Sequence, residues 1–215
     1  MIRLYRIPFS ANVERVALAL AHKGLEAESV WIDAADRGPV RKVSGQDLVP
    51  VLEIDGEVLV ESMDIVRELE ARFPERPLYP SDPARRAELL LFVDWFNRVW
   101  KVPPSVIGAE LGRPEPDRAR IEALGREMAD ALDLFEDLLA GRQFLFGDAF
   151  SAADCCAFPF LKYAALPLPE GDEKLFHEIL RDYQPLSSHI RLAGWIRRVD
   201  ERPRVSTSAR PAASG

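Results

Sequence analysis

Three short segments carry residue types able to do chemistry. In Pro8-Phe9-Ser10-Ala11-Asn12, a turn precedes an apolar helical stripe, so Ser10 stands near a helix N-terminus, where unsatisfied N–H groups and the dipole favour negative charge. Ser10 could donate a hydrogen bond to a bound thiolate there; equally, Ser10 or Asn12 could simply cap the helix. In Val49-Pro50, a proline opens a strand, which confines it to an edge, a first position or a cis turn. A cis bond would leave the N–H and C=O of Val49 able to bind an extended peptide as an added strand, whereas a trans proline would do no more than start the strand. In Glu61-Ser62, amides and a hydroxyl at a helix start suit a carboxylate, and the neighbouring acid suits an amine. Together they fit an α-amino acid head group, although a serine N-cap preceded by an acid needs no ligand.

The elements that must position these residues change character near residue 80. Ile2 to Ile7 alternates as a strand, and Val13, Val16, Ala17 and Leu20 form a helical stripe stopped by Gly24. Ala27 to Asp33 reads as a second strand. Val49 to Ile54 and Val58 to Val60 flank Asp55-Gly56, a type I′ hairpin signal. Ser62 is placed as the cap of a helix with Ile65, Val66, Leu69 and Phe73 on one face. The segment before Val49 reads as irregular. Pro74, Pro77 and Pro80 then forbid a continuous helix, and from there on only helices can be read.

The second part predicts a long helix capped by Asp82, carrying Trp95, Phe96 and Trp100 and ending before Pro103-Pro104. It also predicts a stripe from Ile121 to Leu139, a capping box at Ser151 to Asp154, and helices around 173–182 and 186–201. The expected organisation is a domain over 1–75, a linker over 76–82, a helical domain over 83–203 and a loose tail over 204–215.

Composition narrows the function. The chain has 215 residues, 47% of them hydrophobic and 29% charged, which excludes global disorder. Its net charge of -7 and lack of a basic block argue against nucleic acid, because phosphate binding needs a concentrated Lys/Arg face. No apolar run approaches a membrane span, and the N-terminal run lacks the apolar stretch of a signal peptide, so a cytoplasmic location is expected. Cys155 and Cys156 are neighbours and His22, His177 and His189 are scattered, which gives no metal-ligand spacing and reads the cysteines as packing residues.

The joint pattern is more specific than any one segment. Ser10, then Val49-Pro50-Val51-Leu52, then Glu61-Ser62-Met63-Asp64-Ile65-Val66, with Ser151 to Asp154 in the helical part, resembles the glutathione transferase superfamily over the chain to about residue 202. That resemblance implies an α/β thioredoxin-like N-terminal domain plus an all-α C-terminal bundle. Val43-Ser44-Gly45-Gln46 is similar to the large two-domain glutaredoxins of the superfamily. Their two motif cysteines, however, fall at Ser10 and Val13, counted back from Arg15. Disulfide exchange needs a protein thiolate, so the resemblance implies transfer chemistry with a borrowed sulfur.

Residue by residue, the resemblance implies that Ser10 is catalytic and hydrogen-bonds the glutathione sulfur. Phe9, Leu48, Val49 and Pro50 would line the peptide, Glu61 and Ser62 would hold the γ-glutamyl amine and carboxylate, and Lys42 or Arg41 would reach the glycyl carboxylate. It also implies a homodimer, glutathione as co-substrate with no metal, and conjugation to a small apolar electrophile, as in detoxification. The electrophile is expected against the helix holding Trp95, Phe96 and Trp100, side chains that at helical spacing equally read as core. Two alternatives stand beside this: a non-catalytic binding protein, and use of another low-molecular-weight thiol. The second follows from composition, since only five of 28 cations are lysine, a bias of GC-rich genomes.

Overall fold

Alternation at the N-terminus produces the central strand of a small mixed sheet. β1 (Ile2–Arg6) runs parallel to β2 (Glu28–Trp31) and antiparallel to β3 (Val51–Ile54), which turns through Asp55-Gly56 into β4 (Glu57–Leu59). The order is β2-β1-β3-β4. Asp55 and Gly56 both have positive φ, 51° and 88°, as a type I′ turn demands. The computed structural model describes residues 1–205.

Helices cover both faces of the sheet. α1 (Ala11–Lys23) and α3 (Ser62–Arg72) pack together, burying Val16 and Leu20 with Ile65 and Leu69. α1 starts at Ser10 and stops at Gly24, whose φ of 72° supplies the left-handed cap. A helix at 38–44, read from the sequence as irregular, is present as α2 (Gly38–Ser44). Its Val40 and Val43 join Tyr5, Ile32 and Val51 in one apolar cluster. Ser62 does not cap α3, contrary to the sequence reading. Glu61 is the N-cap residue, makes no side-chain cap bond, and takes φ 62°, ψ 111°. Ser62 is instead buried in the first turn.

The chain divides between Leu78 and Tyr79: one unit takes in Met1–Leu78 and resumes at Arg202, and the other is Tyr79–Glu201. The second unit comprises α4 (Pro83–Trp95), a π-helical turn at Phe96–Trp100, α5 (Val102–Leu111), α6 (Arg118–Asp130), α7 (Leu132–Leu138), α8 (Ala152–Leu161), α9 (Leu175–Asp182) and α10 (Ile190–Asp200). Pro103 and Pro104 do not end the helical path. They sit in the first turn of α5, where a missing N–H has no intrahelical partner to lose. The stripe from Ile121 to Leu139 is likewise two helices, broken at Ala131.

Phe96 and Trp100 stack at 4.5 Å inside an aromatic cluster with Phe92, Phe135 and Phe160. Both are buried, so they serve the core of the helical unit. The capping box at α8 is present, and the fully buried Asp154 carboxylate accepts from Leu145 N–H, Ser151 N–H, Ser151 O–H and Trp195 Nε1–H at 2.7–3.0 Å. Burial pushes its carboxyl up from the ordinary range, and the four donors act in the opposite sense. Cys155 and Cys156 are buried in α8 and form no disulfide.

The tail departs from its expected looseness where it begins. Arg204 pairs with Glu14 at 3.0 Å, and Val205 N–H donates to Ala17 C=O at 3.0 Å. Residues 206–215, the rest of that expectation, lie outside the described residues.

Candidate active site

The strand register gathers the three chemical segments at one end of the sheet. Because β1 and β3 are antiparallel with Tyr5 opposite Val51, Pro50 falls level with Arg6, immediately before the Pro8-Phe9 turn that leads into α1. Phe9 turns the chain with φ 54°, and Ser10 follows in extended geometry, φ -89°, ψ 113°. A non-glycine residue with positive φ costs free energy that the surrounding structure must offset, and such residues concentrate at ligand-binding turns.

Ser10 caps α1, accepting from Val13 N–H at 3.3 Å. That is the structural role the sequence left open, and it does not compete with the chemical one. A hydroxyl has one proton and two lone pairs, so accepting from Val13 leaves the proton to donate elsewhere. Among the uncapped first-turn amides of α1, a sulfur anion at Ser10 would meet both a donor and the positive end of the helix.

The Val49–Pro50 bond is cis. Val49 precedes the ladder, whose final pair is Tyr5 with Val51, so its backbone groups take no part in the β1–β3 pairing. Leu48 is exposed and Pro50 buried beside it. Glu61 is exposed on a backbone of φ 62°, ψ 111°, outside the region ordinary residues occupy. A strained acid that makes no cap bond is a feature that local folding does not ask for.

Ser62 is held from behind. Arg15, on the second turn of α1 and 1% exposed, donates from Nη1 to Ser62 Oγ at 3.2 Å. This bond joins the starts of α1 and α3, and sequence reading missed it, having used Arg15 only as a marker for counting. The available signal was a cation at the centre of an apolar helix, between Val13 and Val16. On α2, the Arg41 guanidinium is taken by the Asp47 carboxylate through two 2.8 Å bonds. Lys42 is exposed and makes no ion pair among the described residues, which leaves its ammonium the better placed of the two for a ligand carboxylate. No group of three or more His, Cys, Asp or Glu side chains among the described residues is arranged to hold a metal. No helix of the described residues is long and apolar enough to cross a membrane.

Comparison with known proteins decides the family. The model of the glutathione S-transferase N-terminal domain matches residues 4–77, and that of the C-terminal domain matches residues 118–198. Glutathione S-transferase 3 of Zea mays is 33% identical over 183 residues, 78% of this chain and 81% of its own length. The chain belongs to the glutathione S-transferase family. Protein LigF of Sphingobium sp. (strain NBRC 103272 / SYK-6) is 27% identical over 95% of this chain and 91% of its own. The crystal structure of Beta-etherase LigF superposes with a TM-score of 0.78 at 23% identity, covering 95% of this chain and 96% of that one. At that identity the superposition establishes the fold, a thioredoxin-like domain followed by a helical one.

Proposed function

We propose that this transferase binds reduced glutathione along Val49, Glu61 and Ser62 and uses Ser10 to keep its sulfur ionised for attack on a small apolar electrophile. Bound glutathione supplies the nucleophile that the protein lacks at position 10. The observation that carries the reading is Ser10 itself: its oxygen is engaged by Val13 N–H at the start of α1, which aims its proton away from the helix.

The energy required is modest. A thiol of pKa about 8.5 is roughly 3% ionised at pH 7, and lowering the value by two units needs about 2.7 kcal/mol of preference for the anion. A hydroxyl donor together with helix-terminal amides is of that size. The Val49 N–H and C=O would pair with the cysteinyl unit as an added strand, Glu61 would take the γ-glutamyl amine, Ser62 its carboxylate, and Lys42 the glycyl carboxylate. Phe9, Leu48 and Pro50 would border the peptide. A cytoplasmic homodimer serving detoxification completes the reading.

A second reading is ether cleavage, favoured by the likeness to LigF, which is named a beta-etherase. It asks the same of Ser10 and differs in the leaving group, an aryl oxide in place of a halide. The test of both is ligation and turnover. Millimolar glutathione should raise the melting temperature, since a ligand that binds only the native state stabilises it, and a generic aryl halide or aryl ether should be consumed. No thermal shift with glutathione, but one with another low-molecular-weight thiol, would replace the co-substrate. A shift without turnover of either electrophile would leave a binding protein.

A further inference from the structure

We infer that Arg15 is a positioning residue for the γ-glutamyl carboxylate of glutathione, acting through the Ser62 hydroxyl. The inference rests on the glutathione reading above and extends it to a residue that touches no substrate. Its basis is the buried bond from Arg15 Nη1 to Ser62 Oγ, 3.2 Å. A serine hydroxyl rotates, and with a lone pair of Oγ filled by the guanidinium its one proton is turned away from Arg15. The charge on the donor also polarises the O–H, and a charge-assisted bond is about twice as strong as a neutral one. Ser62, 6% exposed in the first turn of α3, then presents an oriented O–H beside the unpaired amides of that turn.

Arginine suits this place better than lysine. The guanidinium is a planar fork that stays charged when buried, whereas an ammonium on a flexible stem loses its proton more readily there. Removal of the fork leaves Ser62 free to turn its proton elsewhere, which weakens recognition of one carboxylate and leaves the sulfur chemistry at Ser10 untouched.

The experiment compares glutathione with its analogue 4-aminobutyryl-Cys-Gly, which keeps the amine, the thiol and the glycyl end and lacks the γ-glutamyl carboxylate. Initial rates with an excess of electrophile give kcat/KM for both thiols in wild type, Arg15→Lys and Arg15→Met, with circular dichroism and melting temperature measured alongside. Arg15→Met should raise KM for glutathione about tenfold with kcat within about twofold, and should leave the analogue nearly unchanged, so that discrimination between the two thiols collapses. Arg15→Lys should give an intermediate ratio, and it decides the matter if the methionine variant does not fold. Parallel losses on both thiols, or an Arg15→Lys ratio equal to wild type, would overturn the inference and leave Arg15 a structural residue. Wild-type protein that neither binds nor turns over glutathione would instead defeat the glutathione reading, and the assignment of Arg15 with it.

Discussion

Ser10 is observed as a cap and proposed as a donor on the same oxygen, and the two can be separated. As a cap it accepts from Val13 N–H, a role that aspartate fills equally well; as a donor it needs a proton that aspartate lacks at neutral pH. Ser10→Ala should therefore lose both, about 1 kcal/mol of stability and most of kcat, with a melting temperature lower by about 2–4 °C. Ser10→Asp should melt within about 1 °C of wild type and turn over even less, because a carboxylate beside the sulfur opposes its ionisation. If Ser10→Asp retains wild-type kcat, Ser10 acts as a cap alone. The residue types at 10, 49, 50, 61 and 62 were legible in the sequence because each has a narrow range of physical uses. The Arg15 to Ser62 bond was not, since it joins residues 47 positions apart and depends on how α1 and α3 pack.

At the scale of elements, periodicity and turn chemistry made the strands, α1, the Asp55-Gly56 hairpin and the box at Ser151 readable. The misread elements share a cause. Pro103-Pro104 was taken as a stop because proline breaks a helix interior, and nothing local says that a new helix begins one residue earlier. Ser62 was taken as a cap because serine is a good one, yet burial against Arg15 outweighs that preference.

The segment leading into α9 supplies a prediction at this scale. His177 on α9 is buried, stacks on Tyr163 at 4.5 Å, and bonds through Nδ1 to Asp172 at 2.6 Å, which pins the preceding turn. Burial pulls its pKa below the ordinary value, and Asp172 opposes this. The unfolded chain thus binds the proton more readily than the native one. The contribution is in place above the unfolded value of about 6.5 and is lost as pH falls through the lower native value. Melting temperature should fall between about pH 7 and 5, and His177→Gln should flatten that part of the profile. An equal slope in the variant would assign the acid sensitivity to other groups.

For the whole molecule, a net charge of -7 opposes the ionisation of any bound thiol. Ionisation at the proposed sulfur position requires that a few local groups prevail: the Ser10 proton and the uncapped amides at the start of α1. Contact distance and low local dielectric favour them, because surface charges farther than a Debye length of about 8 Å are largely screened at physiological salt. Ser10, Val49, Glu61 and Ser62, the residues proposed to bind the thiol, all fall in the unit that takes in Met1–Leu78. The decisive measurement is the titration of glutathione's thiol in complex with the full chain, followed by the ultraviolet absorption of the thiolate. A midpoint near 6.5 is expected, about two units below a free thiol of about 8.5, with a return toward the free value in Ser10→Ala. A wild-type midpoint equal to that of the free thiol, or one that Ser10→Ala leaves unmoved, would contradict it.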